Sequence, residues 1–182
     1  MNADGTCATR ITHLSSLLVE YSVGNPRWSP DGTRISFVAN AKLRLGSGSE
    51  NGLYIASADG AWVHRLTSDD SINKSWWSPD GSKIAFLSFP EKQWELGVMD
   101  ADGGHRRRLT DIKIWGKVAW SPDGKQLAFT GYHPEQDQTE VYTINADGSS
   151  LANLSLDPAN DELEGWLPRE NKILFKSDRV VK

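Results

Sequence analysis

Trp-Ser-Pro-Asp-Gly occupies residues 28–32, and the same five residues return at 77–81 and at 120–124. The tryptophans of the three blocks are 49 and 43 residues apart, and Trp166 follows 46 residues after the third. A block that returns every 40 to 50 residues indicates a repeat architecture, in which each repeat is one supersecondary unit. A second block, Ala-Asp-Gly, alternates with the first, at residues 3–5, 58–60, 101–103 and 146–148.

Short alternating segments separate the blocks. After each Pro-Asp-Gly, Ile or Leu and then Phe point to one face and a small residue points to the other, as at Ile84-Ala85-Phe86. The distance from the glycine of Ala-Asp-Gly to the Thr or Ser that closes the following strand is seven residues in all four copies, which predicts a tight hairpin of fixed register. The closing residues are Thr12, Thr67, Thr110 and Ser155. Four strands per repeat of this length predict an all-β fold, a β-propeller built of four-stranded blades.

The aspartates and glycines of the blocks are interpreted as turn residues. Proline sets φ at the second turn position, aspartate accepts hydrogen bonds from nearby backbone amides, and glycine takes the left-handed conformation. A calcium loop would need several oxygen donors close together, whereas each block has one carboxylate beside Pro and Gly. We therefore predict no metal site and assign structural turns to Asp31, Gly32, Asp80, Gly81, Asp123 and Gly124.

The repeat also sets the limits of the blades. We name the four strands of a blade A, B, C and D in chain order, where A ends at the repeated Trp and D ends at the Thr or Ser. Residues 1–182 then form a single propeller domain with three complete blades and a fourth that is split between the termini. The predicted parts are a D strand at 1–12, complete blades at 20–67, 70–110 and 114–155, and strands A and B at 162–176.

Taken together, the motifs between Trp77 and Thr110 resemble the WD40-like repeat of TolB-type β-propellers. They are Trp-Ser-Pro-Asp-Gly, Ile-Ala-Phe, a strand ending in Asp-Ala-Asp-Gly, and Arg-Leu-Thr, and the resemblance covers nearly the whole chain. It implies a propeller and, in TolB itself, a periplasmic partner-binding role. The same repeat occurs in prolyl-oligopeptidase-type peptidases, tricorn-type proteases and oligogalacturonate lyases, so the resemblance leaves the activity open. The separate amino-terminal α/β domain of TolB and its full ring of six blades have no counterpart in this sequence.

The complementary ends of the chain admit three interpretations. The ends could meet within one chain as a four-bladed ring, meet a second copy to make a ring of eight blades, or continue in a longer protein. A chain left open would have unpaired strand edges and apolar blade faces, which associate readily. The ring of six or more blades that the family resemblance implies favours closure by a second copy over a four-bladed monomer, so we expect a homo-oligomer, with a dimer favoured.

Composition excludes some classes of partner and leaves the compartment unknown. The chain has 20 Lys and Arg against 24 Asp and Glu, a net charge of −4, so no nucleic-acid partner is expected. Cys7 is the only cysteine, no run is long enough to span a membrane, and no export signal begins the sequence. A periplasmic location is implied only by the family resemblance.

Variable loops are where we expect binding, because the uniform turns occupy the other face of a propeller. The loops between strands B and C include residues 88–94 and 130–140, and those between D and A include 68–75 and 111–116. Aromatic and charged residues off the repeat positions are the candidates for binding a protein partner. They are Asp69, Asp70, Lys74, Trp94, Trp115, Tyr132 and His133.

Enzyme signatures are missing from the sequence. The four histidines are scattered without metal-ligand spacing, and no Gly-x-Ser-x-Gly motif is present. We therefore expect a non-catalytic TolB-like scaffold for protein–protein interaction, with no catalytic residue and no cofactor. The alternative is the propeller portion of an enzyme, either a prolyl-oligopeptidase-type peptidase cap or an oligogalacturonate-lyase-like protein.

Overall fold

The structure is a computed structural model that describes residues 18–43, 50–68, 71–90, 93–133, 135, 137–156 and 158–179. The D strand predicted at 1–12 lies outside these residues. The strands of the described part are β1 (Leu18–Trp28), β2 (Arg34–Leu43), β3 (Gly52–Ser57), β4 (Val63–Arg65), β5 (Ile72–Trp77), β6 (Lys83–Ser88), β7 (Glu95–Asp100), β8 (Arg107–Arg108), β9 (Ile114–Trp120), β10 (Gln126–His133), β11 (Gln138–Asn145), β12 (Ala152–Asn153), β13 (Asp161–Trp166) and β14 (Ile173–Ser177).

These strands form antiparallel sheets in simple chain order. Three sheets have four strands each, β1-β2-β3-β4, β5-β6-β7-β8 and β9-β10-β11-β12, and β13 pairs with β14 in a two-stranded sheet. Each four-stranded sheet has the A-to-D order of a propeller blade, and the last sheet contains strands A and B only. The predicted all-β class with four-stranded blades is confirmed. Among the described residues, no helix is long and apolar enough to cross a membrane.

The chain divides into two compact units, residues 1–75 and residues 76–182, and the boundary falls within β5. In the first unit, the rings of Phe37 on β2 and Tyr54 on β3 stack with centroids 5.6 Å apart. Ala39 and Ala56 complete this buried cluster. The alternation along β2 places Phe37 in this cluster, and Ser36 and Val38 on the opposite face of the strand are buried as well.

The second unit contains the remaining blades, which pack face to face. Side chains of β6 and β7 meet those of β9, β10 and β11 in one buried cluster, which includes Leu87, Val98, Trp120 and Phe129. A smaller cluster joins the next pair of sheets through Ala128, Val141 and Leu163, which are all buried. The small residues Ala85 and Ala128 of strands β6 and β10 therefore leave room for the following sheet.

Two of the repeated tryptophans in this unit, Trp120 and Trp166, connect their blades to the preceding blade. The indole N–H of Trp120 donates to the backbone oxygen of Trp76 over 3.0 Å, and that of Trp166 donates to the backbone oxygen of Ala119 over 3.2 Å. In both cases the acceptor directly precedes the repeated tryptophan of the neighbouring blade. A tryptophan rather than a phenylalanine at this position thus gives a polar contact as well as apolar burial.

The Ser-Pro-Asp-Gly turns share one hydrogen-bond pattern. At the third turn, the Ser121 hydroxyl and the Lys125 amide both donate to one carboxylate oxygen of Asp123, over 2.7 and 3.1 Å. Such bonds favour the ionised carboxylate, so the serine hydroxyl lowers the pKa of each turn aspartate, that of Asp31 to about 2. The glycines after them have φ near +70°, where only glycine is unstrained: Gly32 at 69°, Gly81 at 70° and Gly124 at 69°.

Several strands extend into segments that the sequence pattern predicts as loops. Residues 130–140 were predicted as a B–C loop, but β10 runs to His133 and pairs with β11 from Gln138 onward. That prediction is wrong because the ladder of backbone hydrogen bonds continues through Gly131 and polar residues, which carry no apolar alternation. Lys74 and Trp115 likewise lie in strands β5 and β9 rather than in D–A loops.

Candidate functional site

The predicted binding residues fall into three groups in the structure. Asp69 and Asp70 lie outside the described residues. Lys74 is exposed on β5 in the first unit. The remaining candidates, Trp94, Trp115, Tyr132 and His133, belong to the second unit, so a surface can be built only from these four.

Trp94 has a packing role. Its ring lies 4.6 Å from that of Phe89, centroid to centroid, and it packs against the buried cluster between the second and third blades. The two rings cover each other at the B–C end of the second blade. This arrangement accounts for Trp94 without a ligand.

Tyr132 and His133 line a groove between the second and third blades, which we call the outer groove. Its volume is about 830 Å³, and it extends from the C–D turn at Gly148 to Leu156, which lies just beyond strand β12. Leucine and isoleucine side chains form much of its lining, while charged side chains stand beside them. The lining residues are Gln93, Leu109, Thr110, Asp111, Ile112, Lys113, Tyr132, His133, Glu135, Tyr142, Gly148, Leu151, Asn153 and Leu156.

The two predicted residues of the groove are held in different ways. The backbone amide of Tyr132 donates to the Lys113 oxygen over 2.9 Å, and its hydroxyl donates to Asp137 over 2.5 Å. The latter bond raises the pKa of the Tyr132 phenol, because the hydrogen bond favours the protonated form. The Nδ1 atom of His133 is buried and has no hydrogen-bond partner within the described part of the chain. The groove thus contains the Tyr132 phenol, which a hydrogen bond holds in place, and the His133 imidazole, whose Nδ1 atom has no hydrogen-bond partner among the described residues.

Trp115 lies at a second concavity, which we call the polar pocket. It has a volume of about 370 Å³ and lies between the third blade and the β13–β14 sheet, at the end where A strands begin and B strands finish. The ring of Trp115 is 6.4 Å from that of Tyr132, so the two predicted aromatics are neighbours. The lining residues are Trp115, Thr139, Asn160, Glu162, Lys176, Ser177 and Asp178.

Hydrogen bonds hold the polar pocket in shape. The amide nitrogen and the side-chain nitrogen of Asn160 donate to the two carboxylate oxygens of Asp178, over 2.7 and 2.9 Å. The Asn160 side-chain oxygen accepts a hydrogen bond from the Thr139 amide over 3.2 Å, which connects the third blade to the next. Asn160 lowers the pKa of Asp178 through these bonds. The Thr139 hydroxyl is buried and makes no hydrogen bond within the described residues.

Sequence reasoning missed most of the residues that form these two surfaces. In the groove it missed the apolar lining, Leu109, Ile112, Leu151 and Leu156, because single leucines in D strands also suit packing. In the polar pocket it missed Thr139, Asn160, Glu162 and Lys176, which come from three separate segments. The one sequence signal that could have indicated the pocket residues of β13 and β14 was their position at the end of the blade where the loops vary.

The described residues include no group of three or more His, Cys, Asp or Glu side chains placed to hold a metal ion. The turn aspartates point to the serine hydroxyls and backbone amides of their own turns, as the hydrogen bonds above show. Neither surface therefore assembles a ligand set for a cation within the described part.

Solved structures of several proteins are similar to this chain. TolB from Acinetobacter baumannii is 20% identical, with a TM-score of 0.65 over 85% of this chain and 37% of that chain. Puromycin hydrolase is 17% identical, with a TM-score of 0.66 over 84% of this chain and 26% of that chain. Oligogalacturonate lyase from Vibrio parahaemolyticus is 12% identical, with a TM-score of 0.66 over 85% of this chain and 45% of that chain.

These similarities establish the fold, and the chain spans less than half the length of each of the three proteins. No curated protein matches the chain in sequence at a significant level. A family model for the TolB beta propeller domain matches residues 33–181. Because this match covers most of the chain, the protein belongs to the TolB β-propeller domain family.

Proposed function

We propose that the chain is a non-catalytic scaffold for protein–protein interaction, and that the outer groove accepts an apolar segment of a partner protein. The observation that carries this proposal is the groove itself, with Leu109, Ile112, Leu151 and Leu156 beside charged side chains. Protein interfaces combine an apolar centre with a polar rim in the same way. A volume of about 830 Å³ accommodates two or three large side chains of a partner segment.

The exposure of the groove leucines supports a docking role. Leu156 is 83% exposed and Leu151 is also exposed, and the two leucines flank strand β12, which pairs with β11. Binding residues held on rigid elements lose little conformational freedom when a partner arrives. Charged side chains at the rim, such as Lys113 and Glu135, would then select the flanking residues of the partner segment.

Selection from a library of random peptides tests the groove. We expect enriched peptides to carry at least two large apolar residues and to lose binding when Leu156→Asp is introduced. Leu156 is exposed, so this change leaves the fold intact. Trp62→Asp is the control, because Trp62 is an exposed apolar residue in the first unit. Enrichment that is equal for the wild type and Leu156→Asp would overturn the proposal.

Self-association is the second part of the proposed function, and a surface at β14 supports it. In each of the three complete blades the phenylalanine of strand B is buried: Phe37, Phe86 and Phe129 are 2%, 3% and 0% exposed. The equivalent Phe175 is 38% exposed. It lies in the B strand β14, with which no C strand pairs among the described residues. Leu174 is 54% exposed on the opposite face of the same strand.

We therefore propose that a second copy of the chain covers β14, and that two chains complete one propeller. Backbone pairing at an open edge and burial of Leu174 and Phe175 would both stabilise such a dimer. The resulting assembly would have the eight blades that the repeat count of two chains implies. A ring closed this way would also place the outer grooves of both chains on one rigid body.

Sedimentation velocity tests the dimer directly, because one chain has a mass of 20.2 kDa. We expect a concentration-dependent species of twice this mass, which Leu174→Glu converts to the single chain. Trp62→Glu is again the matched control, since it introduces the same charge at an exposed apolar site in the first unit. A wild-type chain that stays at 20.2 kDa at all concentrations would contradict self-association and leave the groove proposal standing.

The alternative function is the propeller portion of an enzyme. It is favoured by the fact that puromycin hydrolase and an oligogalacturonate lyase are as similar in structure as TolB, with TM-scores of 0.66, 0.66 and 0.65. The parent gene distinguishes the two functions. A hydrolase or lyase domain encoded in frame with these residues, and active only when joined to them, would support the enzyme.

A further inference from the structure

The polar pocket has a flat aromatic surface at its edge. Trp115 is 71% exposed, whereas the repeated Trp77 and Trp120 of the same unit are buried. One neighbour of its ring is Tyr132, whose hydroxyl is held by Asp137. Trp115 lies off the repeat positions, so blade packing does not require an aromatic residue there. An exposed indole of this kind is a surface on which an apolar ligand face can stack.

The charges of the pocket argue against a ligand with a strong charge. The Nζ atom of Lys176 lies 2.7 Å from Oε2 of Glu162 across the β13–β14 pair. Asp178 accepts two hydrogen bonds from Asn160. The charges of Lys176 and Glu162 offset each other, and both carboxylate oxygens of Asp178 already accept hydrogen bonds, so the lining presents no unpartnered charge to a charged ligand. The lining presents both donors and acceptors, which suits an uncharged ligand whose groups can both donate and accept.

Unpaired polar atoms near the pocket also indicate a hydroxyl-bearing ligand. Thr139 lines the pocket, is 8% exposed, and has no hydrogen-bond partner for its hydroxyl within the described residues. Ser177 adds a second hydroxyl to the lining. Asp161, the first residue of β13, is fully buried. One of its carboxylate oxygens accepts a hydrogen bond from Arg179, and the other has no hydrogen bond within the described residues. Buried polar groups normally have partners, so this concentration at one place is unusual.

From these features we propose that the polar pocket binds a neutral pyranose sugar. The apolar C–H face of the ring stacks on Trp115, and the sugar hydroxyls hydrogen-bond to Thr139 and to the Glu162–Lys176 pair. A volume of about 370 Å³ lies at the lower end of the range for ligand pockets and holds a single sugar ring. This site is separate from the outer groove, so the inference does not rest on the proposed function.

Titration of the chain with methyl glycosides tests the proposal. The probes are methyl β-glucopyranoside, methyl β-galactopyranoside and methyl α-mannopyranoside, followed by saturation-transfer NMR and by the indole N–H signals of the protein. A ligand of about a dozen heavy atoms at an open site binds with a Kd of about 1 mM. We expect at least one glycoside to bind in this range, to shift the Trp115 indole signal, and to receive saturation mainly at the C–H protons of one ring face.

Substitutions locate the binding site. Trp115→Ala should weaken binding by about tenfold or more, since it removes the stacking surface. Thr139→Val keeps the shape of the side chain and removes its hydroxyl. Lys176→Met removes another proposed sugar contact at an exposed position, and it serves as the test if the valine disturbs β11. Trp62→Ala is the matched control, an indole removed from an exposed position in the first unit, and it should leave the Kd unchanged.

Three results would overturn the proposal. The first is the absence of binding by all three glycosides at concentrations well above the expected Kd. The second is binding that Trp115→Ala leaves unchanged, which would place the sugar elsewhere. The third is tighter binding of methylammonium or of glucuronate than of any neutral glycoside, which would assign the pocket to a charged ligand.

Discussion

The hydrogen bond between the Trp120 indole and the backbone oxygen of Trp76 can be tested by Trp120→Phe. Trp120 is 9% exposed in the cluster between two blades, and its N–H lies 3.0 Å from the acceptor. Phenylalanine keeps an aromatic ring in the cluster but cannot donate. The change therefore separates the polar tie between blades from simple apolar burial.

Two terms determine the expected loss of stability. Leaving the Trp76 oxygen without its donor costs about 1–2 kcal/mol. The smaller ring leaves a void of about 40 Å³, which at about 24 cal/mol per Å³ adds about 1 kcal/mol. We expect the free energy of unfolding to fall by about 2–3 kcal/mol, a large part of the stability of an ordinary domain.

Urea unfolding followed by far-ultraviolet circular dichroism measures this loss as a lower midpoint with an unchanged slope. Trp115→Phe is the matched control, because the same change at a residue that is 71% exposed should alter the free energy by less than about 0.5 kcal/mol. Replacing Trp120 with benzothienylalanine, which keeps the ring shape without the N–H, isolates the hydrogen-bond term. Equal midpoints for Trp120→Phe and Trp115→Phe would refute the reasoning.

Three further changes have defined outcomes in the same urea assay. Gly131→Ala places a Cβ atom 2.6 Å from Cγ2 of Ile112 and should cost about 1–3 kcal/mol, whereas Gly24→Ala, with no atom within 4 Å, should be nearly neutral; equal midpoints would contradict the predicted clash. Ser155→Ala removes a buried hydroxyl that accepts from the Val141 amide and donates to the buried Glu140, and it should cost about 1–3 kcal/mol; an unchanged midpoint would contradict the stabilising role of these two hydrogen bonds. The folded pKa of Asp123 lies below the unfolded value of 3.8, so its stabilising contribution is present above that value and is lost as the pH falls through the folded pKa. Asp123→Asn should therefore lose less stability than the wild type on acidification, and parallel losses would count against the assigned turn bonds.

The sequence predicts the blade well because its signals are local. The Ser-Pro-Asp-Gly turn carries its own hydrogen-bond acceptor and its own left-handed glycine, as Asp123 and Gly124 show. The alternation at Leu127, Ala128 and Phe129 assigns each side chain to a face without reference to other blades. Strand ends are less predictable, since backbone pairing continues through Gly131 and Tyr132 where the apolar pattern stops.

The binding surfaces are harder to predict, because their residues come from distant parts of the chain. The outer groove joins Leu109 of one blade to Leu151 and Leu156 of the next, and the polar pocket joins Trp115 to Asp178. In the sequence, each of these residues is compatible with ordinary packing or with a solvated surface. No local rule separates Trp94, which packs on Phe89, from Trp115, which is exposed.

The amino-acid sequence by itself determined the repeat, the strand order within a blade, the turn residues and the family. These features depend on backbone conformation and on side-chain alternation over a few residues, and both are written in neighbouring positions. Only the tertiary structure decided that Tyr132 and His133 line a groove, that Trp115 stands beside Thr139 and Lys176, and that Phe175 is exposed while Phe129 is buried. The physical reason is that burial and proximity depend on which blade packs against which strand, and that packing joins residues dozens of positions apart.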